Sequence, residues 1–148
     1  MKQGNEYGAA LTYHQLGSVA LERREFAAAE EWYKKSLDIS LKQGNEHGAA
    51  LTYHELGSVA LERREFDAAE EWYKKSLDIE LKQGNEHGAA LTYHQLGRVA
   101  EERRDFAAAE ECLNKALAIF ERYQDEYHVN MTKNNLNRLD EIRKEGNP

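Results

Sequence analysis

The chain repeats itself. Residues 2–41 and 42–81 align without a gap at a period of 40 residues, and they differ only at Tyr7/His47, Gln15/Glu55, Ala27/Asp67 and Ser40/Glu80. Residues 82–121 form a third copy that diverges mainly in its second half, where Cys112 replaces Trp72 and Leu113 replaces Tyr73. The tail from Arg122 begins a fourth copy, with Asp125-Glu126 matching Asn85-Glu86, Leu136 matching Leu96 and Leu139 matching Val99. A unit this short cannot bury its own apolar face. Copies that stack on one another can, so the period restricts the chain to repeat architectures.

Composition narrows the class further. Pro148 is the single proline, and no alternating strand pattern occurs, which predicts an all-helical protein. The 148 residues fit one domain over 1–148. A net charge of −7 with no basic stripe argues against nucleic acid and against an anionic membrane surface as partners. No apolar run is long enough to span a bilayer, and no basic-then-apolar leader follows Met1. The lone Cys112 cannot form an internal disulfide, so a reducing cytoplasm is the expected location.

Each copy reads as two amphipathic helices. In the middle copy the first spans about 45–63: Asn45 is the N-cap, Glu46 lies at the positive end of the dipole, and Ala50, Tyr53, Leu56-Gly57 and Ala60 share a face. The second spans about 66–82, with Phe66, Ala69, Tyr73, Leu77 and Leu81 expected inward and the Glu70–Lys74 and Glu71–Lys75 pairs outward. Gly84 is the expected left-handed residue that ends this helix. The link Arg63-Arg64-Glu65 is short enough to force an antiparallel hairpin. A glycine inside a helix costs about 1 kcal/mol relative to alanine, so Gly17, Gly57 and Gly97 predict close approach of the second helix, with Ala29, Ala69 and Ala109 opposite. Trp32 and Trp72 are expected between successive hairpins.

The spacing Tyr13-x-x-Leu16-Gly17-x-x-Ala20 followed by Ala29-x-x-x-Tyr33-x-x-Ser36-Leu37 resembles the tetratricopeptide repeat. It recurs as Tyr53/Leu56/Gly57/Ala60 with Ala69/Tyr73/Ser76/Leu77, and as Tyr93/Leu96/Gly97/Ala100 with Ala109/Leu113/Ala116/Leu117. The 40-residue period is similar to the longer variant of that family. Leu41 and Leu81 stand where the common form has a proline, and Arg24, Arg64 and Arg104 where its inner turn often has glycine. The resemblance implies a right-handed α-solenoid of three stacked helix-turn-helix hairpins (2–41, 42–81, 82–121) with a capping helix over about 124–145. In that cap Val129, Met131 or Thr132, Leu136, Leu139 and Ile142 face inward, while Lys133, Asn134, Asn137, Arg138 and Glu141 face water.

By the same resemblance, function lies in a groove lined by the first helices. Its residues in the first copy are Leu11, His14, Ser18, Leu21 and Glu22. They become Leu51, His54, Ser58, Leu61 and Glu62, then Leu91, His94, Arg98, Glu101 and Glu102, with Met131, Asn134 and Arg138 continuing from the tail. Such a surface implies a peptide or protein segment as partner, offering apolar side chains and some positive charge. The outer face of the first hairpin, around Ala9 and Tyr13, is expected to be bare and open to pairing with a second copy.

Chemistry finds no motif. His54-Glu55 lacks a second histidine four residues on, and no phosphate loop, nucleophile elbow or Cys-x-x-Cys occurs, so neither enzyme activity nor a cofactor is expected. His14, His54 and His94 recur once per copy, but helices packed ~8–10 Å apart spread them too widely for Zn–N bonds of ~2.1 Å. They read as polar groove residues, with no metal site expected. Two functional readings stand: a natural interaction scaffold, or an engineered or consensus-like array whose purpose is stacking or self-assembly and which has no native ligand.

Overall fold

Every copy becomes a helical hairpin. The computed structural model describes residues 2–146; Met1, Asn147, Pro148 and the side chains of residues 2–4 and Tyr7 lie outside the described residues. The helices are α1 (Lys2–Glu22), α2 (Phe26–Lys42), α3 (Glu46–Glu62), α4 (Phe66–Lys82), α5 (Glu86–Glu102), α6 (Phe106–Arg122) and α7 (Glu126–Gly146), and no strand occurs among the described residues. They fall into two compact units, Met1–Ile79 and Glu80–Pro148.

Local rules explain the punctuation. Asn45 and Asn85 accept hydrogen bonds from the backbone N–H of Gly48 and Gly88 at 3.0 Å, and Asp105 accepts from Ala108 at 3.2 Å. Each such cap contributes about 1 kcal/mol. Helix ends repeat one motif, in which Glu25 N–H reaches Ala20 C=O and Arg24 N–H reaches Leu21 C=O. The left-handed residue of that motif is Gly44 or Gly84 between the full copies and Gln124, at φ 55°, before the tail, but Arg24, Arg64 and Arg104 within copies, at φ 59°, 61° and 62°. Each of those guanidinium groups lies 4.9–5.0 Å over the ring of the phenylalanine two residues on. Stacking at an exposed site is worth about 0.5–1 kcal/mol, which offsets much of the roughly 1–2 kcal/mol that a left-handed non-glycine residue costs.

In the first unit Ala20, Ala29, Tyr33, Leu37, Ala49, Leu56 and Val59 form one buried cluster, so α2 packs against both α1 and α3. Ser36 and Ser76 donate to the carbonyls of Ala10 and Ala50 at 2.8 Å, tying second helix to first in both hairpins. In the second unit α7 covers α6: Leu139 packs with Ala109 and Leu113, and Val129 packs on Ala116 and Phe120. Thr132, not Met131, is the buried residue of its turn. Arg143 also bonds Glu110, joining the end of α7 to the start of α6.

Two side-chain expectations require correction. Leu81, expected inward, is 50% exposed, and its copy Leu41 is likewise open. The inward stripe of the second helix runs Ala69, Tyr73, Ser76 and Glu80, and the next residue lies 100° around the axis. The second helix approaches the glycines closely as expected, but the nearest group at two of them is a ring: a Cβ on Gly57 would lie 2.7 Å from Tyr73 and one on Gly17 the same distance from Tyr33, while one on Gly97 would meet Leu113 at 2.9 Å and the Ala109 carbonyl oxygen at 3.5 Å. Trp32 and Trp72 stack on Tyr13 and Tyr53 of their own hairpins, with ring centroids 5.6 and 5.8 Å apart, and both also pack on the buried cluster of the first unit.

Candidate functional site

The first-helix faces carry a hollow in each unit. In the first unit a cavity of about 260 Å³ opens between α1 and α3, lined mainly by Ala10, Leu11, His14, Leu51 and Thr52, with Ser36, Ser40 and Asn45 at its floor and edge. Leu11 of α1 and Leu51 of α3 stay half exposed and line it with apolar surface. In the second unit a hollow of about 470 Å³ is lined by His94, Arg98, Glu101, Glu102, Met131, Asn135 and Arg138.

The histidines are held, not free. His14 Nδ1 lies 3.2 Å from Thr52 Oγ1, and the ring sits edge-on to Tyr33. His54 makes the same edge contact with Tyr73. Burial pushes the His54 imidazole down to about 4 and holds His14 and His94 below the usual histidine range. Arg98 adds to the effect at His94.

Other groove positions are already engaged. Ser18 and Ser58 bond the hydroxyls of Tyr33 and Tyr73 at 2.9 and 2.8 Å. Leu61 is buried and Leu21 packs on the buried cluster of the first unit, so neither offers an apolar side chain to the groove. Glu22 is exposed, whereas Glu62 pairs with Arg24 at 3.2 Å and Glu101 with Arg138 at 2.7 Å. Leu91 is partly buried against Ala116 and Phe120. Asn134 is exposed and absent from the hollow; its neighbour Asn135 lines it, with Nδ2 donating to His94 Nε2 at 2.7 Å.

A second cluster escaped the sequence reading. His87 Nε2 and His128 Nδ1 lie 2.9 and 2.6 Å from the same oxygen, Asp125 Oδ2. The His87 hydrogen bond leads in pushing the Asp125 carboxyl down to about 2. The available signal was the tail's own departure from the repeat, since Asp125 and His128 replace Asn85 and Gly88.

A sequence model of the tetratricopeptide repeat matches residues 8–82 and again 49–122. No curated protein sequence matches the chain. Among solved structures it is similar to the apo form of RapI, with a TM-score of 0.87 at 18% identity over 93% of this chain and 50% of that one. It is also similar to the N-terminal domain of stress-induced protein-1 (STI-1) from C. elegans, with a TM-score of 0.69 at 18% identity over 87% of this chain and 95% of that one. The Arabidopsis OM64 TPR domain gives 0.70 at 16% identity, over 90% of this chain and 98% of that one. The chain spans half the length of the RapI structure. The fold is thus an all-α helical-repeat solenoid.

Proposed function

The chain belongs to the tetratricopeptide repeat family, and from that premise we propose that it is a non-catalytic scaffold binding a peptide or protein segment along its first-helix faces. One observation carries the reading: two half-exposed leucines, Leu11 and Leu51, flank a pre-formed cavity between α1 and α3. A hollow that needs no rearrangement binds with little ordering cost of its own. In this reading apolar side chains of the partner occupy that cavity. Arg98, which lines the hollow of the second unit, adds a positive charge beside it. Selection from a peptide library against the folded chain tests it. Recovered peptides share spaced apolar residues and lose binding on Leu51→Glu, a change at an exposed position that spares the core. A library yielding nothing above background, or peptides indifferent to Leu51→Glu, overturns the reading.

A second reading rests on α1. Leu16 and Val19 are 39% and 46% exposed, whereas Leu56 and Val59, the same positions one repeat on, are 1% exposed under α2. In this chain that stripe is an apolar seat suited to a second copy, and pairing there makes the array self-associating. The molecular mass in solution decides between the two.

A further inference from the structure

We infer that His87, Asp125 and His128 form a binding site for one divalent transition-metal ion of the zinc type, supported on one wall of the second unit and distinct from the groove. The three candidate donor atoms lie within 4.8 Å of one another, and both imidazole nitrogens already converge on one carboxylate oxygen. Zinc holds nitrogen and oxygen ligands at about 2.0–2.1 Å, which in a tetrahedral site sets them about 3.4 Å apart. Small rotations of the side chains bring the three donors to that spacing. Two imidazoles and one carboxylate are a donor set that suits zinc and its neighbours, and three protein ligands leave a fourth position for water or a further ligand.

The rings are held in place by aromatic faces. His128 stacks on Phe120 at 4.8 Å with 22° between planes, and His87 stacks on Tyr123 at 5.8 Å and 20°. Phe120 is itself fully buried, so the platform under His128 is rigid. Such outer supports orient metal ligands and raise affinity. All three ligands remain partly exposed, which gives an ion a way in.

The sequence pattern points the same way. The cap position is Asn45 and Asn85 in the earlier copies, and the position three on is Gly48 and Gly88. An asparagine caps as well as an aspartate, so capping alone does not account for Asp125. Gly88 leaves no ligand where the tail places His128. Both replacements fall on the residues that face His87.

Zinc titration of the full chain by calorimetry, with Co(II) absorption as a second readout, tests the site. The wild type is expected to take one ion per chain with micromolar affinity, give a tetrahedral Co(II) spectrum and gain thermal stability on adding zinc. Asp125→Asn and His128→Gly restore the residues of the preceding copy and so keep the helix start intact. Each should weaken zinc binding about tenfold or more. Circular dichroism of the apo variants confirms that they are folded. Millimolar or weaker binding by the wild type, or binding that both folded variants retain within that factor, overturns the site and assigns the cluster to capping alone.

Discussion

The Tyr33 hydroxyl donates to the Glu55 carboxylate across 3.1 Å, linking α2 to α3 through a side chain that is otherwise fully buried. Glu55 is one of the few positions where the first two copies differ, and burial raises its carboxyl above the ordinary range. The Tyr33 phenol is likewise raised, by burial first. Replacing Tyr33 with Phe strands a half-buried carboxylate and also unpairs the Ser18 hydroxyl. The expected loss is about 1–3 kcal/mol. Glu55→Gln keeps an acceptor, so urea denaturation should show a loss of about 0.5 kcal/mol or less. A double-mutant cycle in which the two losses simply add would remove the bond from the account.

Gly57 lies under the Tyr73 ring, where a Cβ would come within 2.7 Å of carbon atoms that are buried and cannot retreat. Gly57→Ala should therefore cost about 1–3 kcal/mol by overpacking, despite the better helix propensity of alanine. Gly8 sits in the exposed stretch of α1 with nothing within 4 Å of the same added atom. Gly8→Ala should stabilise by up to about 1 kcal/mol. Opposite signs at two helical glycines, measured by thermal melting, are the expected result.

Arg104 combines a φ of 62° with a guanidinium 5.0 Å above Phe106. Arg104→Ala keeps the left-handed cost and loses the stack, for a loss of about 0.5–1 kcal/mol. Arg104→Gly loses the stack but relieves a strain of roughly 1–2 kcal/mol, so it should be neutral or mildly stabilising. The order Gly, Arg, Ala in chemical-denaturation midpoint checks this; a glycine variant less stable than the alanine one contradicts it.

What the sequence made legible was local. Asn45, Asn85 and the glycines at 44 and 84 set helix limits within a residue or two, because caps act over a single turn. The Glu70–Lys74 pair marked the wet side of α4, and the structure closes it at 2.6 Å. What stayed hidden depended on rotation about a helix axis or on partners far along the chain. Whether Glu80 or Leu81 turns inward differs by 100°; the inward Glu80 carboxylate is met by Thr92, which donates to it at 2.7 Å from twelve residues on. A fixed offset of 40 pointed to Asn134, but α7 presents Asn135 to His94. The His87–Asp125–His128 cluster joins residues 38 apart, a spacing that no local pattern reports.

His54 gives the fold a pH dependence of known sign. Its folded value of about 4 lies below the unfolded 6.5, so the unfolded chain binds more protons between the two. The stabilisation is complete above pH 6.5 and is lost as pH falls towards 4, by about 3 kcal/mol in all at 1.36 kcal/mol per unit. His14 and His94 are lowered as well and act in the same direction. Glu55, raised by burial, acts oppositely: its contribution is present at low pH and fades as pH rises through its folded value. Comparing wild type with His54→Gln isolates the one ring. The gap between their unfolding free energies should change by about 2–3 kcal/mol between pH 7 and pH 4.5, and a constant gap removes the effect.

Leu16 and Val19 are the last pair to test, because they separate a monomeric scaffold from a self-pairing array. Their counterparts Leu56 and Val59 are sealed under α2, whereas this stripe of α1 faces outward. Both side chains are already more than half covered, so removing the rest from water yields roughly 0.6–1.4 kcal/mol each, and two copies contribute four of them. Part of that gain is consumed by the cost of association, so pairing is expected at high micromolar concentration rather than at nanomolar. Light scattering should show a mass rising towards the dimer as concentration increases. Leu16→Glu should return it to the monomer with little loss of stability, since the position is exposed in the single chain. A mass that stays monomeric at the highest concentration reached removes self-pairing and leaves the proposed binding along the cavity between α1 and α3 as the reading to test.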